Sequence, residues 1–213
     1  MKLLCYNNQK TRSGSEIVII KLFSFILITT FYAAYFAKQI LLRKKGIFTN
    51  RLAKGSKPKK TATIETGLLA ITYGMAIIQY AGFFLEGYML PLELPSALRW
   101  LGIALAGLGV VFFILAITSM QDSWRAGIDE SQKTSMVTTG IYKISRNPAF
   151  TGFNLLYIGT ALAMPGGVIA AMAAAGILFM HLQILQEEVY LSRIFGNEYK
   201  QYKQKTPRYL LFF

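Results

Sequence analysis

The chain has 213 residues, of which 54% are hydrophobic and only 15% charged, with a mean hydropathy of +0.40. So apolar a chain does not stay solvated as a disordered one. Its single cysteine, Cys5, excludes a disulfide scaffold, and a single histidine, His181, beside it leaves no set of ligands for a Cys/His zinc site. The formal net charge of +13 fits either nucleic acid or an anionic membrane surface until the charges are placed along the chain.

Residues 17–42 form the first apolar run, interrupted by Lys21 and Lys38. Its basic start is weak and no small-residue cleavage site follows, so it reads as a retained span and not as a signal peptide. Residues 38–60 hold nine basic residues and no acidic one. A second apolar run covers 64–90, with Glu65 and Glu86 near its ends, and a third covers 100–120 without any charge. Residues 149–186 contain no Asp, Glu, Lys or Arg. That block is long enough for two helices of about 20 residues. Pro165-Gly166-Gly167 interrupts it, which predicts a tight hairpin with a rather short first helix. The expected fold is an all-α, polytopic membrane bundle of about five spans. It divides into a tail, first span and basic linker (1–63), two middle spans (64–120), and a half with a polar loop, the hairpin and a C-terminal interfacial helix (121–213).

Charge sets the expected orientation. The basic linker, the loop before Pro148 and the tail after Glu188 carry 18 of the 23 basic residues. With five spans all three lie on one side, which the positive-inside rule makes the cytoplasm. The turns at Pro91–Pro95 and at Pro165 then face outward. This placement accounts for the net charge without nucleic acid, because the basic stretch lacks interleaved aromatics and sits between two spans.

A passive bundle has no need of the polar segment 120–152. Within it, Pro148 suits the first turn of a helix, Asn147 suits its cap, and Arg146 falls at the helix mouth, where it could also be a snorkelling arginine. On the last span His181 and Glu188 share a face, while Gln183 and Glu187 form an i, i+4 pair on another. Glutamates at the base of an apolar helix are costly against lipid and should face protein, water or a ligand. A hairpin returns the chain to its starting side, so Arg146 and Glu187/Glu188 should lie at one depth, as a functional constellation or as a structural Arg–Glu pair. Beyond them Phe195, Tyr199 and Tyr202 make one aromatic stripe, suited to an interfacial anchor or to a lid.

These residues carry a resemblance. Gly140, Tyr142, Arg146, Asn147, Pro148, Phe150 and Gly152, then Glu187-Glu188, then Phe195, Gly196, Tyr199, Tyr202 and Pro207, follow in order a pattern of the isoprenylcysteine carboxyl methyltransferase family and its phospholipid N-methyltransferase relatives. The pattern covers about a third of the chain. Gly107-Leu108-Gly109 resembles a Gly-x-Gly that the phospholipid enzymes link with cofactor binding, although Gly102, Ala106 and Gly109 also read as a packing face. Asn147 and Phe150 depart from the histidine and tyrosine of better-known members, so neither position can move a proton.

The resemblance implies an S-adenosylmethionine-dependent methyltransferase, like a carboxyl O-methyltransferase, acting on a lipophilic acceptor at the cytoplasmic membrane face. No metal and no nucleic acid are expected. It implies that Arg146, Glu187 and Glu188 lie near the chemistry. Gly140, Tyr142, Arg146, Asn147, Pro148, Phe150, Gly152, Glu188 and Tyr199, with His181 on the Glu188 face, would line the cofactor. A carboxylate acceptor is already ionised and needs no base, whereas an amine needs a proton acceptor such as a glutamate. Phospholipid N-methylation therefore stays open. So do a steroid-reductase-like NADPH enzyme, against which Ala149, Phe150 and Phe153 count, and an inactive membrane interaction protein.

Overall fold

The computed structural model describes residues 2–55, 57–85, 90–125, 127 and 135–211, with side chains from residue 14 onward. The acidic and polar stretch after Gly127, including Lys133, and Glu86 lie outside the described residues. Five α-helices follow in chain order: α1 Lys2–Lys44, α2 Lys59–Ala81, α3 Ser96–Ser119, α4 Pro148–Ala163 and α5 Gly167–Lys205. Short 3-10 turns at Gln121–Ser123 and Gly140–Lys143 lie in the α3–α4 connection.

Among the described residues four stretches are long and apolar enough to cross a membrane: Gly14–Lys44, α2, α3 and α5. Helix α4 has 16 residues. At 1.5 Å per residue it reaches roughly 24 Å, short of the about 30 Å of a hydrocarbon core. The expected hairpin is present, and its short first arm is the one helix of the five below spanning length. Val18, Leu22 and Ile26 of α1, Ile77 of α2, Leu108 of α3 and Leu178 of α5 are exposed, an apolar surface that suits lipid and not water.

Local chemistry sets the helix ends. Helix α1 closes with Arg43 and Lys44 in its last turn, which complement the carbonyl end of the helix. Gly46 then turns the chain at φ 75°, and Ile47 N–H donates to the Leu42 carbonyl at 2.9 Å. Helices α2 and α3 begin directly after Pro58 and Pro95, whose extended backbone precedes the first turn.

Close packing of α3 on α4 builds the centre of the bundle. A Cβ placed on Gly102 would stand 2.5 Å from the Gly159 carbonyl oxygen, and one on Gly109 would stand 2.6 Å from that of Gly152. Glycines at these positions are what lets the two backbones touch. Gly107, the other glycine of the Gly-x-Gly, faces only Leu27 of α1 at 4.0 Å. Phe31 stacks on Phe113 at 4.3 Å, and Phe153 meets both edge-on, tying α1 to the α3–α4 pair. At the far end the two predicted turns meet: Leu92 N–H donates to the Pro165 carbonyl at 3.2 Å, and Gly167 N–H to the Leu90 carbonyl at 2.8 Å. Those two turns therefore occupy one end of the bundle, opposite Arg146 and Glu188.

Candidate active site at the base of the hairpin

The hairpin brings Arg146, at the mouth of α4, onto Glu188, at the base of α5. Arg146 Nη1 lies 3.0 Å from Glu188 Oε1, with both side chains 7% exposed. The tail after α5 returns across the same mouth. Arg208 grips Glu188 with two parallel bonds, Nε to Oε1 at 3.0 Å and Nη2 to Oε2 at 2.9 Å. Lys203 Nζ stands 3.6 Å from Oε2. One carboxylate thus serves three cations. The hydrogen bond to Glu188 pushes the Arg208 pKa above the usual arginine value, so the guanidinium stays charged throughout.

The returning tail also holds the backbone of the motif. Arg146 N–H donates to the Pro207 carbonyl at 2.9 Å. The Asn147 side-chain amide donates to the Arg208 carbonyl at 3.0 Å, and the Ser145 hydroxyl reaches the same oxygen at 3.3 Å. This corrects the expected cap. Asn147 is the N-cap residue of α4 and Pro148 takes the first turn, but the Asn147 side chain makes no capping bond; its amide nitrogen donates to the tail.

Glu187 faces the other way. Gln183 donates to it at 3.0 Å, the expected i, i+4 pair, and Gln183 also approaches Glu65 of α2 at 3.5 Å. Glu65 is fully buried. It accepts from Lys57 Nζ at 2.6 Å and from Ala53 N–H at 2.8 Å. A second ionic cluster therefore joins the basic linker and α2 to α5.

Two cavities meet beside these clusters. The polar one, about 170 Å³, is lined by Tyr142, Arg146, Asn147, Phe150, Glu187 and Tyr199, with Phe195 and Tyr202 among its other walls. Arg146 Nε is buried there without a hydrogen-bond partner among the described residues. Tyr202 hydroxyl donates to the Tyr142 carbonyl at 2.6 Å, and Tyr199 is buried, so the aromatic stripe closes over the cavity as a lid. Lys200 and Lys203 beside the stripe are exposed. The lid changes direction at Gly196, whose φ of 50° breaks the helical run. Burial pushes the Tyr142 hydroxyl well above its ordinary pKa, so it remains a neutral hydrogen-bonding group. The second cavity, about 410 Å³, is almost wholly apolar and runs between α1 and α2 past Tyr32, Phe36, Leu69 and Tyr73. Trp124, Arg125, Gly127, Ala149 and Phe150 line both.

Five of the predicted cofactor residues line the polar cavity: Tyr142, Arg146, Asn147, Phe150 and Tyr199. The other five are placed elsewhere. Gly140 opens the 3-10 turn at φ 61°, against the Ser119 hydroxyl. Pro148 is buried in the first turn of α4. Gly152 packs on Gly109 and Phe113. His181 pairs through Nδ1 with the Tyr209 hydroxyl at 2.9 Å. Glu188 lies behind Arg146 and orients it, while Glu187 fronts the cavity. Sequence reasoning counted Arg208 only as a topogenic charge, although the late Pro207 marked its turn. It noted Glu65 only as the edge of a span, although a glutamate inside an apolar run is itself a signal of a polar interior.

Residues 97–198 match the family model described as phospholipid methyltransferase. Through these residues, just under half of the chain, it is similar to the phospholipid methyltransferase family. The match takes in α3, the motif at Arg146 and the hairpin, and ends at residue 198, short of Tyr199 and Tyr202 of the lid. The chain is also similar to the protein-S-isoprenylcysteine O-methyltransferase of Dictyostelium discoideum, 26% identical over 138 residues, 63% of this chain and 58% of that protein. Protein-S-isoprenylcysteine O-methyltransferase B of Arabidopsis thaliana is 35% identical over 82 residues, 38% of this chain and 41% of its own. The Schizosaccharomyces pombe protein of the same name is 35% identical over 74 residues, 34% of this chain and 31% of its own. The chain thus spans between about a third and three-fifths of the length of these relatives.

Proposed function

We propose that this chain is a member of the phospholipid methyltransferase family and an integral-membrane methyltransferase that takes its methyl group from S-adenosylmethionine and delivers it to an amphiphilic acceptor at the cytoplasmic face. The observation that carries the reading is the pair of joined cavities, a polar one roofed by an aromatic lid and an apolar one reaching among the helices.

The residues present suit this cofactor. Arg146 keeps an unpartnered, buried Nε on the cavity wall and would hold a carboxylate. Glu187 presents a carboxyl group that would take an ammonium or ribose hydroxyls. Phe150, Phe195, Tyr199 and Tyr202 offer flat apolar walls. The cofactor supplies a methyl already activated by a sulfonium, so an acceptor lone pair attacks carbon in line and the bond to sulfur breaks. The protein has then to orient the reactants and exclude water. Closure of the lid over the cavity would do the second, and Glu188, fixed by Arg208, would hold Arg146 for the first.

Loss of titratable side chains at Asn147 and Phe150 favours an acceptor that needs no base, a carboxylate as in the O-methyltransferases named above. Glu187 keeps the amine reading in play, because it stands on the cavity wall where a proton acceptor would be required. The test is retention of tritiated S-adenosylmethionine by the purified full chain, set against NADPH. Saturable retention of S-adenosylmethionine, lost in Arg146→Ala, is expected. Retention of NADPH instead would assign a reductase.

A further inference from the structure

The second ionic cluster ends on the wall of the polar cavity. Gln183 and Glu65 are fully buried, and the Gln183 amide stands between two carboxyl groups. Its Nε2 donates to Glu187 Oε1 at 3.0 Å and approaches Glu65 Oε1 at 3.5 Å. A side-chain amide carries two N–H bonds on its nitrogen, so one can point at each carboxyl. Reversing the amide would turn its carbonyl oxygen onto both carboxyl groups, and that repulsion settles which way it points.

Glu65 is anchored in turn. Its Oε2 accepts from Lys57 Nζ at 2.6 Å and from Ala53 N–H at 2.8 Å. Lys57 Nζ also donates to the Arg51 carbonyl at 2.8 Å, and its side chain is buried to all but a tenth. Ala53 adopts φ 56°, a left-handed backbone that a residue with a Cβ rarely takes. Strain of this kind persists where surrounding bonds hold it, and here it accompanies an N–H aimed at Glu65. Glu65 and Lys57 both act on Glu187 through their charges. The contacts thus run from the basic linker through α2 to α5 and finish at a carboxyl group that lines the cavity.

We propose that Gln183 is a positioning residue for Glu187: anchored by Glu65, it holds Glu187 Oε1 and leaves Oε2 turned to the bound ligand. The proposal rests on the methyltransferase reading above and deepens it. The chemistry that Oε2 would meet is an ammonium or hydroxyl group, from the cofactor or from the acceptor. Gln183 acts on either only through Glu187.

The experiment uses the full chain in nanodiscs and has two readouts. The first is modification of Glu187 by dicyclohexylcarbodiimide, followed by peptide mass spectrometry. The reagent takes the protonated acid, and an N–H donor favours the ionised one. At about pH 8, Gln183→Leu should therefore be modified at Glu187 at least threefold faster than the wild type. The second readout is a double-mutant cycle with Glu187→Ala, because residues that act through one another are not additive. Gln183→Leu should lose at least tenfold in S-adenosylmethionine affinity or in acceptor kcat/KM, but less than twofold once Glu187 is alanine. A loss in cofactor affinity assigns Oε2 to the cofactor, and a loss confined to acceptor kcat/KM assigns it to the acceptor. Glu65→Gln keeps the shape and the oxygen for Ala53 N–H, so it decides the matter if Gln183→Leu fails to fold. It should show a smaller loss of the same kind, again absent in Glu187→Ala. Equal losses with and without Glu187, no loss in either variant, or wild-type modification of Glu187 in Gln183→Leu overturns the proposal. Failure of the wild type to retain S-adenosylmethionine, with the difference in modification intact, overturns the methyltransferase reading and leaves the hold of Gln183 on Glu187 standing.

Discussion

The base of α5 has two faces, and consecutive glutamates put them to different uses. On one face Glu188 is enclosed by Arg146, Arg208 and Lys203, so its carboxylate is committed to holding the mouth together. On the other, Glu187 touches Gln183 and fronts the polar cavity. Two identical side chains about 100° apart on a helix thus become a support and a cavity-facing group. Identity of residue type says little about role, and the number of partners already engaged says more.

The largest effect is expected from Glu188→Gln. It leaves three cations around a neutral amide, and breaking a buried pair in this way costs about 3–5 kcal/mol. Thermal unfolding in detergent should show a large drop in Tm, with methyl transfer lost in the same sample. An unchanged Tm would erase the distinction between the two faces. Arg146→Ala comes next. Glu188 keeps Arg208 and Lys203, so the variant should fold, yet lose at least 100-fold in methyl transfer, with little rescue by Arg146→Lys.

Gly109→Leu probes a region outside both faces. The added side chain would have to enter the α3–α4 contact, where overpacking costs about 1–3 kcal/mol. Destabilisation with normal S-adenosylmethionine affinity in the folded fraction is expected. Loss of affinity at unchanged stability would return the Gly-x-Gly to the cofactor. Glu187→Gln is the mildest change in structure, since the new amide oxygen still accepts from Gln183. Its effect sharpens the comparison through pH. With a carboxylate acceptor of pKa about 3.5, single-turnover transfer should stay flat from about pH 6 to 9 in wild type and variant alike. With an amine acceptor, which must lose a proton before it attacks, the wild-type rate should rise with pH, and a tenfold rise absent from Glu187→Gln would make Glu187 the base.

Much of this architecture is legible in the sequence for physical reasons. Uncharged runs announce helices, Pro165-Gly166-Gly167 announces the hairpin, and a hairpin's return brings Arg146 to Glu188 whatever the side-chain detail. The Gln183–Glu187 pair follows from helical spacing alone. Other features depend on long-range return of the chain. That Arg208 clasps Glu188 across 20 residues, and that Asn147 gives its amide to the tail and not to its own helix, cannot be read from local pattern. Gly152 and Gly140 sit inside a motif but serve packing and turn geometry, because a motif's glycines record close backbone approach of any kind. The length of α4 was visible as a short arm, but not that it stops below spanning length.

The most direct measurement of the central claim is transfer of radiolabelled methyl from S-adenosylmethionine to organic-extractable lipid or to a farnesylated cysteine, by the full chain in nanodiscs. The account predicts label in the acceptor with wild-type protein and at least a 100-fold loss in Arg146→Ala at normal folding. Label transfer that Arg146→Ala leaves unchanged, or a wild type that transfers no methyl group to either acceptor, would contradict it.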